Sequence, residues 1–107
     1  MLKDIKRSIR RAIRRSQKIQ LKLRDGKVCT FHPYFILRRY DGKTVLHGFV
    51  EGDTGACDIG LEEVEETTEL PHTHYAVNDY CLNFPFADYE VIYPKKGDLE
   101  AQGNSTL

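Results

Sequence analysis

The chain has no tryptophan, one methionine, four prolines and three cysteines among its 107 residues. Cys29, Cys57 and Cys81 are odd in number and widely spaced. A small secreted domain held by disulfides carries an even set, so a reducing, cytoplasmic setting is expected, with the thiols acting as small, mostly buried apolar groups. No apolar run approaches the roughly 18 residues a membrane span needs, and the first residues lack the apolar core of a secretory signal. No membrane is therefore expected. Low-complexity tracts are also missing. What remains is 40% apolar and 30% charged, the balance of one small globular domain rather than a disordered chain. Without disulfides, a domain of this size depends on packing.

Net charge is absent too, but only as a sum. Sixteen Lys and Arg face sixteen Asp and Glu. Residues 1–27 carry a net charge of +9, and residues 28–107 carry −9. Two oppositely charged regions cancel.

The positive region begins as a helix. Leu2, Ile5, Ile9, Ala12 and Ile13 recur every three or four residues and line one face, while Lys3, Lys6, Arg7, Arg10, Arg11, Arg14 and Arg15 fill the others. Ser16-Gln17 marks its end. The period then switches to two: Ile19, Leu21 and Leu23 alternate with polar residues, as in a strand with one wet face. Asp25-Gly26 and Asp41-Gly42 are each followed by Lys and predict two hairpins with two-residue type I′ turns. A tight second turn would set Leu37 opposite Leu46 and Tyr34 opposite Phe49. Pro33 predicts an edge, a bulge or a bend in a long second strand. Residues 51–55 read as a loop, Cys57–Leu61 as a fourth strand, and Val64–Leu70 as a short turn and a fifth strand. Pro71-His72-Thr73-His74 breaks the pattern. Tyr80, Leu82, Phe84 and Phe86 have strand spacing interrupted by Pro85, and Tyr89–Tyr93 is a further strand candidate.

In this order of elements the chain resembles the WYL domain over roughly residues 2–70. The matching pieces are Arg11-Ala12-Ile13 at the helix end, the strand Ile19–Leu23, Pro33, the stretch Gly42–Leu46, and Ile59-Gly60-Leu61-Glu62-Glu63-Val64. The family's naming triplet falls on Thr44-Val45-Leu46, with only Leu46 in common. Its arginine near the closing turn falls on Glu63, and its basic position in the second strand falls near Val28–Thr30, where there is none. The resemblance implies a mainly β (α+β) fold: an N-terminal helix followed by a small five-stranded antiparallel SH3-like or Sm-like barrel. It also implies a regulatory module that binds ligands such as nucleic acid or nucleotides. The expected organisation is one domain over 1–93, with a basic helix at 1–16, a barrel at 18–70 and an aromatic extension at 71–93, followed by a flexible tail at 94–107.

The basic helix is the main functional candidate. Lys6, Arg7, Arg10, Arg11, Arg14 and Arg15, extended by Lys18 and Lys22, could track the phosphates of a nucleic acid, giving salt-sensitive and largely sequence-independent binding. Two other readings compete. The helix is a solvated face, or one paired with the chain's own Glu62, Glu63, Glu65, Glu66 and Glu69. Alternatively, complementary basic and acidic faces drive self-association or binding of a protein partner. Cys29, His32, His72 and His74 have the chemistry of a zinc set, but a strand would point the first two to opposite faces, so no metal or other cofactor is expected. Asp53, Asp58 and Asp79 with His72 or His74 form no recognisable catalytic motif, and no enzyme is expected. Tyr75, Tyr80, Phe84, Phe86, Tyr89 and Tyr93 are read as packing residues, with base stacking as the alternative.

Overall fold

A computed structural model of the chain describes residues 2–76 and 89–94. Its element order is α1 (Leu2–Arg15), β1 (Gln17–Leu23), β2 (Val28–Arg38), β3 (Thr44–Val50), β4 (Ala56–Gly60), a 3-10 turn (Leu61–Glu63), β5 (Val64–His74) and β6 (Glu90–Tyr93). The protein is mainly β. None of the described helices is long and apolar enough to cross a membrane.

Helix α1 ends where the sequence turns polar. Ser16 adopts a left-handed φ of 50°, and its N–H donates to the Ile13 carbonyl at 3.1 Å. One left-handed residue stops the helical run and sends the chain directly into β1. Ile5, Ile9, Ala12 and Ile13 are buried against Ile19, Leu21, Phe31, Ile36, Leu46, Ile59, Leu61 and Val64 of the sheet. That docking is what holds so short and charged a helix.

The sheet is antiparallel with the order β4-β3-β2-β1-β5, and β6 pairs with β2. Among the described residues no ladder joins β4 to β5, so the expected barrel is not closed. The eleven-residue β2 spans both parts of the sheet. Its first half pairs with β1, from Lys22↔Val28 to Ile19↔Phe31. Its last residues pair with β6, including Leu37↔Val91 and Arg38↔Glu90. The changeover lies at Pro33-Tyr34, where the pairing with β3 slips by one residue between Pro33↔Gly48 and Phe35↔His47. Pro33 has no N–H to lose there, and its carbonyl accepts a hydrogen bond from the Tyr75 hydroxyl.

Both hairpins form at the expected places, but their turns differ from expectation. Leu23 N–H donates to the Lys27 carbonyl at 2.8 Å, and Arg39 N–H donates to the Lys43 carbonyl at 2.9 Å. Each loop therefore holds three residues, with Gly26 (φ 92°) or Gly42 (φ 88°) in the left-handed position. The aspartate before each glycine accepts from the lysine N–H after it, Asp25 from Lys27 at 2.9 Å and Asp41 from Lys43 at 3.0 Å. This Asx contact accounts for the aspartate in both loops, and the left-handed φ for the glycine. The extra loop residue shifts the register by one, so Leu37 faces Val45, Ile36 faces Leu46, and His32 rather than Tyr34 faces Phe49.

Strand β5 runs through Pro71 to His74, further than expected. The disruption at Pro71 is local: His72 has φ 66°, and pairing with β1 jumps from Ile19↔Glu69 to Gln17↔His74. On the sheet face away from α1, Tyr34, Phe35, Leu37 and Val45 form a second buried cluster with Phe49, Tyr75, Tyr89 and Val91 packed on it. The strand candidate around Tyr80–Phe86 and the tail beyond Pro94 lie outside the described residues.

Candidate functional site

The positions of the apolar residues in α1 determine where its charges point. With Ile5, Ile9 and Ile13 docked on the sheet, Lys3, Arg7, Arg10, Arg14 and Arg15 are exposed, and Lys6 and Arg11 are half-buried. All seven cations line one open depression of about 730 Å³, together with Tyr93 from β6. The Arg10 guanidinium lies 5.6 Å from the centre of the Tyr93 ring. A cation in that position is held by the ring's electron-rich face. Tyr93 also packs on the inner core, so it fixes the wall of the depression.

Arg11 is the helix cation with an acidic partner among the described residues, its Nε 3.5 Å from Glu69 of β5. Glu62, Glu63, Glu65 and Glu66 are exposed, and none of them pairs with the helix among the described residues. Among the described residues the acidic region thus engages the helix at one flank.

Lys18 and Lys22 do not line the depression. Lys18 on β1 binds the Glu51 carboxylate, and Lys22 stands on β1 opposite Glu66 of β5. Glu51 is also 3.5 Å from His32 Nε2. Its carboxyl is held below the ordinary value, first by the hydrogen bond from Lys18 and then by the neighbouring His32 imidazole. The His32 ring stacks on Tyr75 with centroids 5.0 Å apart and planes within 4°. A second carboxylate–imidazole pair joins Asp58 to His47 Nδ1 at 2.5 Å.

The zinc-type set is not assembled. Cys29 packs on the inner core, His32 stacks on Tyr75, and His72 and His74 are exposed on β5. Among the described residues no three His, Cys, Asp or Glu side chains converge as a metal site. Burial pushes the Cys29 and Cys57 thiols up, with Asp58 adding to the effect at Cys57.

Two features of the surface escape a reading of the helix alone. Tyr93 becomes part of the basic depression because β6 pairs with the far half of β2, a long-range contact that no local pattern announces. A second depression, of about 290 Å³, lies between Lys6 and the β2–β3 turn, with Asp41, Gly42, Lys43, Thr44, Leu61 and Glu62 on its walls. Tyr40, at the tip of that turn, is 92% exposed.

Compared with known proteins, the chain matches no family model, no curated protein and no solved structure.

Proposed function

We propose that the protein is a non-enzymatic nucleic-acid-binding module, a divergent stand-alone relative of the WYL domain that holds a phosphate backbone on helix α1. One observation carries this reading. Seven cations line a single open depression, and only Arg11 among them is paired with an acid among the described residues. A cationic face already neutralised by its own chain would offer little to a polyanion; among the described residues a single carboxylate meets this face. Phosphate contacts of this kind supply affinity without reading bases. The fold component of the proposal is an Sm-like half-open barrel. It is supported by the long β2 that changes partners at Pro33 and by the 3-10 turn leading into β5.

The competing reading is self-association, with the helix of one copy on the exposed Glu65 and Glu66 of another. Solution mass and fluorescence anisotropy, measured with and without a labelled oligonucleotide at low salt, separate the two. The proposal expects a complex with the oligonucleotide that Arg7→Glu with Arg14→Glu abolishes. A protein that gains mass with concentration, binds no oligonucleotide and becomes monomeric in the same variant refutes it.

A further inference from the structure

We infer that, without nucleic acid, a second copy of this chain covers α1: in a two-fold pair each molecule seats its cationic helix against the acidic flank of the other. The contact itself is independent of the nucleic-acid reading, whereas its role in occluding α1 rests on that reading. As the sole use of α1, self-association competes with nucleic-acid binding. As a contact that a polyanion displaces, it controls access to the same surface.

The acidic flank is a depression of about 350 Å³ between the first turns of α1 and the start of β5, walled by Asp4, Ile5, Ser8, Glu65, Glu66 and Thr67. Asp4, Glu65 and Glu66 are exposed, and none of them has a cationic partner among the described residues. The basic depression shares the same helix as its wall, and Arg11 is the one cation there paired with an acid among the described residues. Helix α1 is therefore a cationic ridge with an acidic hollow beside it.

That adjacency selects the geometry. Two molecules that face each other, offset towards their acidic flanks, place each ridge in the other's hollow. One association then makes the same contact twice and uses both patches, which is the self-complementary arrangement of a two-fold axis. A head-to-tail contact would instead leave one ridge and one hollow open at its ends and continue to grow. Net repulsion does not oppose the approach, because the formal net charge of the whole chain is zero.

The test is solution mass by light scattering. Across a concentration series at low salt the wild type should pass from one chain to two and no further, and raising salt to about 0.5 M should return it to one. Arg7→Glu with Arg14→Glu sets acid against acid, and Glu65→Lys with Glu66→Lys sets base against base, so each variant alone should stay monomeric. Mixed in equal amounts, the two variants restore both contacts and should form a heterodimer. Far-UV dichroism checks their folding, and Glu65→Gln with Glu66→Gln, which removes attraction without adding repulsion, should also weaken the pair. A wild type that stays monomeric, growth beyond two chains, wild-type dimerisation by any of these variants, or a monomeric mixture of folded charge-reversed variants overturns the pair. An added oligonucleotide of about eight nucleotides should separate the pair into one chain per complex; a pair that persists at saturation overturns the occlusion. A monomer that binds the oligonucleotide leaves the nucleic-acid reading standing without this inference. A pair that binds none overturns that reading, and the occlusion with it, but not the contact.

Discussion

Neutralising two helix cations should lower not only affinity but its dependence on salt. Arg7 and Arg14 are suited to this because both are exposed and neither has an ion-pair or ring partner among the described residues. Seven cations line the groove, and Arg11 is committed to Glu69. Helix α1 has 14 residues, a length of about 21 Å at 1.5 Å per residue, along which about four side chains can meet one strand at once. For a single-stranded probe, counterion release would then give a slope of log K against log salt of about −3, or roughly a fiftyfold loss between 50 and 200 mM. Arg7→Gln with Arg14→Gln removes about two contacts, which should bring the slope to about −1.4 and the loss to about sevenfold. Gln is nearly as good a helix former as Arg. Losing Arg14 from the last turn costs about 0.3–1 kcal/mol of dipole stabilisation, so a thermal melt of the variant serves as the control. Anisotropy titrations at four salt concentrations measure both slopes. A wild-type slope shallower than about −1, or one the double variant leaves unchanged, would refute the reasoning.

Two further expectations concern the sheet that presents the helix. A Cβ built at Gly48 would sit 2.1 Å from the His32 carbonyl oxygen and 2.8 Å from the Phe31 ring. Gly48→Ala must therefore part β2 from β3, and should lower stability by about 2 kcal/mol or more in urea denaturation; an unchanged midpoint would show that the strands do not approach so closely. Glu51, held below its ordinary value near 4.5 by Lys18 and then His32, contributes stability that is present above that value and lost as pH falls through the lower folded value. In Glu51→Gln this acid-side loss should diminish, read as a smaller fall in melting temperature on acidification. Identical acid profiles would remove Glu51 from the account.

Where structure depends on near neighbours, the sequence is informative. The 3.6-residue spacing of Ile5, Ile9 and Ile13 places the cationic faces of α1, and Asp-Gly-Lys locates both hairpins. Turn length is subtler, because an Asp-Gly pair fits both a two-residue turn and the last two positions of a three-residue loop. Only the ladder distinguishes them, and one residue of difference changes every partner across β2 and β3. Long-range placement is hidden further. Nothing near Tyr93 shows that β6 pairs with β2 and brings that ring under Arg10. Likewise the role of Lys6 as a shared wall emerges only when the β2–β3 turn lies beside the helix. By sequence Lys18 extends the basic patch, but its charge is taken up by Glu51, thirty-three positions away.

The acidic residues have a use that does not require them to neutralise α1. Strand β5 is at one end of the sheet order, and an exposed strand edge invites pairing with other chains. Glu65 and Glu66 are exposed on that strand, and Glu62 and Glu63 are exposed in the turn before it. A row of like charges repels a second copy of the same edge. On this argument the two halves of the charge distribution serve different surfaces: the carboxylates discourage pairing along the β5 edge left at the end of the described sheet, and the cations of α1 face a separate depression. The separation would also have a cost in specificity, since the acidic edge of one molecule could attract the helix of another. The contact should be weakest where salt screens exposed charges over about 8 Å. If both contacts form, a nucleic acid, with a higher and continuous charge density, should displace a second copy from the helix, and adding oligonucleotide should lower the mass of any self-associated species in solution.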